Sequence, residues 1–304
     1  MKKLSINHKS LIDAAMNHKN KLPKFRSYGI SELLKMPTFF DWVECILIPE
    51  EKSFQMYLAG ADDGVALRFF WNGSYEKMTL SLWGHFVSRG GLIIDIGAHT
   101  GAYTLAAYSV DINANILSFE PHFMNFSRLN MNLRGNGFST SNIHMIGVGE
   151  KNEILPFSVF PNINYLTSGG SVGTRENSLV TNIQVVSLDQ LLPDKVAADV
   201  RLIKIDVEGH EGACLRGMVN LIERYRPVIF FECIANESGS TVSSILKNFD
   251  YNFYMIDDEN GDVTQVDDIY PQMDLNGNII RSKLNRIALP NQELLKYLKN
   301  VSVN

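Results

Sequence analysis

Gly91-Leu-Ile-Ile-Asp95-Ile-Gly97-Ala-His99-Thr-Gly101-Ala-Tyr-Thr104 is the stretch whose reading decides the fold. Leu92–Ile96 is short, apolar and rich in β-branched residues, as a strand buried on both faces of a parallel sheet must be. Asp95 brings a carboxylate to its end. Gly97 and Gly101 bracket a tight turn, and Ala102–Ser109 then reads as a helix. Strand, glycine turn and helix make the first half of a nucleotide-binding βαβ unit, in which a glycine lets backbone approach a ligand. His99 stands where a dinucleotide fingerprint has its second glycine, and no Gly-Lys-Ser/Thr follows, so neither a pyrophosphate cradle nor a P-loop fits. The spacing Asp-x-Gly-x-x-x-Gly suits S-adenosylmethionine (SAM), which has an amino-acid end and no phosphate.

Working outward, Ile116–Phe119 reads as the second strand, with Glu120 at its end before Pro121. An acid about 20 residues beyond such a turn accepts the ribose hydroxyls in sheets of this class. Four further blocks follow: Ser187-Leu-Asp-Gln-Leu-Leu192, Ile203-Lys-Ile-Asp-Val-Glu-Gly-His-Glu211 and Arg226-Pro-Val-Ile-Phe-Phe-Glu232, with Phe119-Glu-Pro121 ahead of them. In this order, over roughly Tyr75 to Leu289, they resemble the FkbM family of SAM-dependent methyltransferases. The resemblance implies a class I methyltransferase (Rossmann-like) α/β fold. It also implies O-methylation of a hydroxyl, often on a sugar or secondary metabolite. The competing reading is a catalytically inactive SAM-fold binding or scaffold subunit.

The candidate cofactor contacts are Glu76, Asp95, Gly97, Ala98, His99, Gly101, Tyr103, Thr104, Glu120 and Val148. Glu76 opens a helix at Lys77–Val87 and either meets the cofactor's ammonium group or favours the helix dipole. Val148 lies in the turn Gly147–Gly149, expected near the adenine after a third strand at Asn142–Ile146. The candidate catalytic residues are Asp206, Glu208 and His210, just beyond the buried strand Val200–Ile205, where ligands sit in open α/β sheets. An alcohol becomes a nucleophile as its proton leaves, which suits a loop of carboxylates. Glu211 reads as a first-turn acid of a helix at Ala213–Arg224. Glu232 ends the next strand. Lys204, inside an apolar strand, calls for an acid partner or a path to the rim. Asp206, Glu208, His210 and Glu232 include metal-ligand types, but their spacing fixes no geometry, and no metal is assigned.

The whole chain of 304 residues is 45% apolar and 20% charged, enough for a large core without staples. Its net charge of −5 gives no basic field for nucleic acid. Cys45, Cys214 and Cys233 are scattered, which suggests buried thiols in a reducing cytoplasm. No apolar run approaches the ~18 residues of a membrane span. The partner expected is a small-molecule or glycan acceptor, and a homo-oligomer is compatible with the sequence.

Three segments are expected: a basic tail at 1–29, a small cap at 30–74 and the methyltransferase domain at 75–304. The tail reads as a solvated arm with a short helix at Ser10–Asn17. The cap reads as a helix at Ile30–Lys35 and strands at Cys45–Ile48, Phe54–Leu58 and Val65–Phe70. Phe160–Thr181, rich in Asn, Ser, Thr and Gly, reads as a lid or acceptor loop. Tyr251–Ile256 and Arg286–Leu289 read as a closing antiparallel pair, Asp257–Asp262 as a hairpin turn, and Gln292–Asn300 as a terminal helix.

Overall fold

The computed structural model describes residues 8–23, 26–47, 52–159, 169–192 and 199–290. The expected terminal helix and the first part of the 160–181 loop lie outside them. In chain order the elements are α1 (His8–Lys19), α2 (Ile30–Leu33), β1 (Phe39–Leu47), β2 (Lys52–Gly60), α3 (Gly64–Asn72) and α4 (Lys77–Val87). Then come β3 (Leu92–Ile96), α5 (Ala102–Val110), β4 (Asn115–Phe119), α6 (Phe123–Gly135), β5 (Ile143–His144), β6 (Gly147–Val148), β7 (Glu153–Val159), β8 (Gly170–Val172) and β9 (Leu179–Val186). The rest are α7 (Leu188–Leu191), β10 (Val200–Ile205), α8 (Glu211–Arg216), α9 (Val219–Tyr225), β11 (Val228–Glu232), α10 (Asn236–Lys247), β12 (Asn252–Asp257), β13 (Asp262–Val266) and β14 (Asn285–Leu289).

The central sheet runs β13-β12-β14-β11-β10-β3-β4-β5. β11, β10, β3, β4 and β5 are parallel neighbours, and β14 joins β11 antiparallel. β12 pairs antiparallel with β14 and forms a hairpin with β13, as the closing pair and turn require. β3 is buried at every position, which its unbroken apolar run demands. This is the class I methyltransferase architecture. A separate small sheet, β6-β9-β7-β8, stands beside it.

Four expectations are corrected. Val65–Phe70 is helical. Asp63 caps α3 by accepting from Val65 N at 2.8 Å and Ala66 N at 3.1 Å, and Gly73 ends it in the left-handed region. Its buried residues Val65, Ala66, Phe69 and Phe70 repeat at helical spacing. The helix expected over Ala213–Arg224 is two helices. A Cβ on Gly217 would lie 1.9 Å from Gly149 O, and the Gly217 carbonyl accepts from Asp189 N and Ser187 Oγ. Asp189 then accepts from Asn220 N and Leu221 N at the start of α9. The third strand is only Ile143–His144, because the chain leaves the sheet to pair Gly147 and Val148 with β9.

The fourth correction concerns the basic arm. α1 packs on the cap: Ala15 is fully buried, Lys19 Nζ lies 4.5 Å from the Phe70 ring centre, and His18 stands edge-on to Trp71. The core is continuous from Ala15 through β1, β2 and α3 to Leu105, Ile93 and Leu202 of the sheet domain, so no seam opens at residue 74.

Helix α6 fixes this union. Its residues Arg128 and Asn132 and its C-cap Asn136 repeat every four residues, on one face. Asn136 Oδ1 accepts from Gln55 N at 2.7 Å and its Nδ2 donates to Gln55 O at 2.7 Å. Asn132 Oδ1 accepts from Tyr57 N at 3.0 Å and its Nδ2 donates to Thr100 O at 2.8 Å. Arg128 donates to Tyr57 O at 2.6 Å and forms an ion pair with Asp62, which accepts from Ala59 N at 2.9 Å. Asn132 thus joins β2 to the glycine turn. Asn132→Ala would strand a buried donor and acceptor, at a cost of about 1–3 kcal/mol each; urea denaturation should show a loss of at least that order.

Candidate active site

The site is built where β3, β4 and β10 end. The Asp206 N–H donates to Ile96 O at 2.9 Å, so the chain after β10 runs against the end of β3. Gly97, with φ of 80°, is required there: a Cβ would stand 1.8 Å from Asp206 O. Gly97 N and Ala98 N both donate to Phe119 O, at 2.8 and 3.0 Å. Gly101 has φ of 104°, and its missing Cβ makes room for Leu129 of α6. Asp95 is buried and accepts from Thr104 Oγ1 at 2.6 Å, and that hydroxyl also meets Ser118 Oγ at 2.7 Å. Burial, opposed by Thr104 and Lys204, pushes the Asp95 carboxyl up to about 6.

Glu120 is buried at the end of β4. Its Oε2 accepts from His99 N and its Oε1 from His122 N, each at 2.8 Å. Burial outweighs these two donors and lifts its carboxyl to about 7. A carboxylate offers about four lone-pair directions, so each oxygen retains one for a diol hydroxyl. His99 holds a left-handed φ of 51° at the position where a dinucleotide turn has glycine. These features fit SAM and oppose a dinucleotide.

Around the β10 end a second group assembles. Lys204 is 1% exposed, and its Nζ lies 3.0 Å from Asp206 Oδ2 and 4.9 Å from the Tyr103 ring centre. The sequence reading asked for this acid partner. Burial pulls the ammonium down, but Asp206, Glu232 and Glu76 together reverse that and raise it. Tyr103 donates its hydroxyl to Glu76, which stands at the start of α4 in the left-handed region. Glu76 makes no cap there. The capping carboxylate is Asp258, from the turn after β12, accepting from Thr79 N and Thr79 Oγ1, each at 2.8 Å. Sequence reading placed Asp258 in a hairpin turn and missed this role, because its partner lies far away in the chain. Burial, and next the negative charge of Glu76, raises it to about 6.

Glu232 is raised well above its ordinary value by burial and by Asp206. Glu208 has a left-handed φ of 53°. The residue is exposed overall, yet its carboxyl is partly desolvated. Asp206 and Glu211 add to that and bring it to about 7. A Cβ on Gly169 would stand 3.4 Å from Glu208 Oε1, so this residue of the 160–181 segment lies against it. Tyr75, which sequence reading passed over as a boundary residue, shares this environment, its phenol raised by burial and by Glu76, Glu232 and Asp206.

His210 is set apart. Its Nε2 would lie 3.2 Å from a Cβ on Gly149, against the Val148 turn, and burial lowers its ring. Val148 is buried, and its carbonyl accepts from Cys214 Sγ at 3.1 Å. Glu211, expected as a first-turn acid, opens α8 and accepts from Gly209 N at 3.0 Å and Ser238 Oγ at 2.5 Å. The structure therefore groups Glu76, Tyr103, Asp206 and Glu208 on one side. It groups Glu120 with His99 on another, and leaves His210 beside Val148. No group of His, Cys, Asp and Glu suited to a metal ion occurs among the described residues.

Residues 95–258, more than half of the chain, match the model of the FkbM methyltransferase domain. The chain belongs to the FkbM methyltransferases. It is similar to the FkbM methyltransferase of Methylobacillus flagellatus KT, with 16% identity and a TM-score of 0.41 over 75% of this chain and 55% of that one. It is similar also to a SAM-dependent methyltransferase of Agrobacterium tumefaciens, with 8% identity and a TM-score of 0.43 over 84% and 73% of the two chains. This FkbM chain thus spans 55% of the length of the Methylobacillus protein. No curated protein matches it. The cofactor of this FkbM methyltransferase is SAM, which when bound supplies a methyl group activated on a sulfonium. No helix among the described residues is long and apolar enough to cross a membrane.

As candidate ribose acceptor, Glu120 would form two charge-assisted hydrogen bonds worth about 1.5–3 kcal/mol each. Calorimetry should find SAM binding weakened at least about tenfold in Glu120→Ala. Only the ionised carboxylate accepts from both hydroxyls. SAM affinity should therefore rise as pH climbs through about 7, a dependence that Glu120→Gln should flatten.

Proposed function

We propose that this chain O-methylates a hydroxyl on a sugar, glycan or secondary metabolite. What supports this is the acidic loop at the end of β10, where Asp206 pairs with the buried Lys204 at 3.0 Å and Glu208 follows two residues on, its carboxyl raised to about 7 by burial and by Asp206. A base works best when its pKa lies near the working pH. Asp206, tied to the buried ammonium of Lys204, serves as the anchor, and Glu208 takes the proton of the acceptor hydroxyl. SAM, when bound, would supply a methyl group to that oxygen, with the sulfonium leaving as a neutral thioether. Holding oxygen and methyl in line contributes most of the rate.

In the same reading Gly97, Ala98, His99, Gly101, Tyr103 and Thr104 would hold the cofactor, with Asp95 and Glu76 serving its amino-acid end, Glu120 its ribose and Val148 its adenine. His210, against the Gly149 turn, belongs with that adenine end and not with the base. The acceptor is a small molecule or glycan, the chain works in the cytoplasm, and Gly169 belongs to the loop that covers the acceptor.

The test is a methyl-transfer screen over nucleotide sugars, glycans and lipid-linked sugars, read by mass spectrometry. With an acceptor in hand, Glu208→Gln should lower turnover by about 10²–10⁴-fold while calorimetry still finds SAM bound. Wild-type turnover in that variant would move the base to Asp206 or Glu232. Absence of any methylated product across the screen, with SAM bound, would favour a binding or scaffold subunit.

A further inference from the structure

Glu76 opens α4 with a left-handed φ of 41° and no side-chain hydrogen bond to the helix. A residue with a Cβ is strained there, and such strain persists only where the surroundings over-determine it. Here they do. Three residues on, Thr79 is held by Asp258 through its N–H and its hydroxyl, each at 2.8 Å. About two turns into the same helix, Trp83 Nε1 donates to the Tyr103 carbonyl at 3.0 Å, and the two rings meet edge to face at 5.3 Å. Capping does not account for the Glu76 carboxylate, because Asp258 already caps α4.

The carboxylate meets Tyr103 instead. Tyr103 is buried in the first turn of α5, directly after the glycine turn. Its hydroxyl donates to Glu76 Oε2. Its ring lies against Lys204, whose Nζ stands 4.9 Å from the ring centre. Lys204 in turn forms its ion pair with Asp206 at 3.0 Å. One side chain therefore meets a buried cation with its face and Glu76 with its hydroxyl. A phenol donates a hydrogen bond without carrying charge, so Glu76 gains a direction without gaining an opposite charge. A lysine or arginine as donor would orient the carboxylate and cancel it.

We propose that Tyr103 is a positioning residue for the ammonium group of SAM. Its hydroxyl aims the Glu76 carboxylate at the cofactor's amino-acid end. Its ring, rather than Glu76, takes the contact with Lys204, so the charge of Glu76 is left for the incoming cation. This rests on the reading that puts the amino-acid end of SAM at Glu76. Tyr103 then acts through Glu76, and the glycine turn and α4 recognise the cofactor as one unit: a residue of α5 sets the direction of an acid 27 positions earlier in the chain. An oriented carboxylate binds a cation better than one that must be ordered on binding.

The test is calorimetry on the full chain with two ligands, SAM and 5′-methylthioadenosine, which keeps the nucleoside and the sulfur and lacks the amino-acid end. Tyr103→Phe keeps the ring against Lys204 and removes the hydroxyl, and its thermal midpoint reports whether the fold is intact. SAM binding should weaken at least about fivefold, within the range of couplings between side chains in contact. Methylthioadenosine affinity, read by competition, should stay unchanged. In a Glu76→Asn background, which tolerates the left-handed backbone and shortens the acid by a methylene, Tyr103→Phe should add nothing. Glu76→Gln, which keeps an acceptor for the hydroxyl and removes the charge, should likewise weaken SAM and spare methylthioadenosine. Unchanged SAM affinity in Tyr103→Phe, equal weakening of both ligands, or the same loss in the Glu76→Asn background would overturn the proposal. A wild-type chain that binds methylthioadenosine as tightly as SAM would remove the amino-acid end from Glu76, and the proposal with it. SAM preferred equally by the wild type and by Tyr103→Phe would overturn the proposal alone.

Discussion

Two backbones touch at the end of β3, and the site depends on that contact. Parallel strands β3 and β10 stay in register to Ile96 and Ile205, and Gly97 then lets the next residues run against Asp206 with no side chain between them. The crevice can open only beyond this point. It has one lip from the glycine turn, carrying His99 over Glu120, and one from the β10 loop, carrying Asp206 and Glu208. Gly217 repeats the device against Gly149, which seats the break between α8 and α9 under the small sheet and brings His210 to the Val148 turn. Both contacts are absolute in the steric sense: any Cβ would push the partners apart by more than an ångström.

Within that frame the unusual feature is how much charge lies inside. A buried ion pair such as Lys204–Asp206 seldom adds net stability, because desolvation offsets the attraction. Here it organises its neighbours. Lys204 offsets part of the negative charge of Asp95, Glu208 and Glu232, while burial still lifts each of them, and Glu120 with them, above its ordinary value. Carboxyls of one chemical kind thus spread over a range of proton affinities through burial and neighbours alone, as enzyme sites commonly require.

The central unit was legible because its signals are local. Leu92–Ile96, the two bracketing glycines, Ala102–Ser109 and Glu120 lie within thirty or so residues, and strand burial, turn and helix each leave a mark on the adjacent sequence. What sequence reading missed was non-local. Val65–Phe70 looks like a strand until Asp63 is seen to cap it. The run Ala213–Arg224 has helical periodicity throughout, and only the approach of Gly149, 68 positions earlier in numbering, breaks it. Asp258 caps a helix 179 residues before it, and no spacing rule encodes such a pairing. The basic arm departs for another reason: a run of lysines reads as a solvated face, but Lys19 lays its ammonium on Phe70, where an aromatic ring replaces water.

The ladder from α6 to β2 has a consequence for how the molecule opens. A two-stranded hairpin normally leaves an outer edge of bare amides, which is an invitation to pair with another chain. Here the outward N–H groups of Gln55, Tyr57 and Ala59 are taken by Asn136, Asn132 and Asp62. The edge is finished with side chains where a further strand would otherwise lie. Peeling the hairpin away would expose that edge and, through Asn132, release the carbonyl of Thr100 in the glycine turn. The hairpin, α6 and the turn therefore form one cooperative unit in the sense of native-state exchange: their amides open together or stay shut together, and a ligand seated on the turn would slow exchange at β2, a strand it never touches.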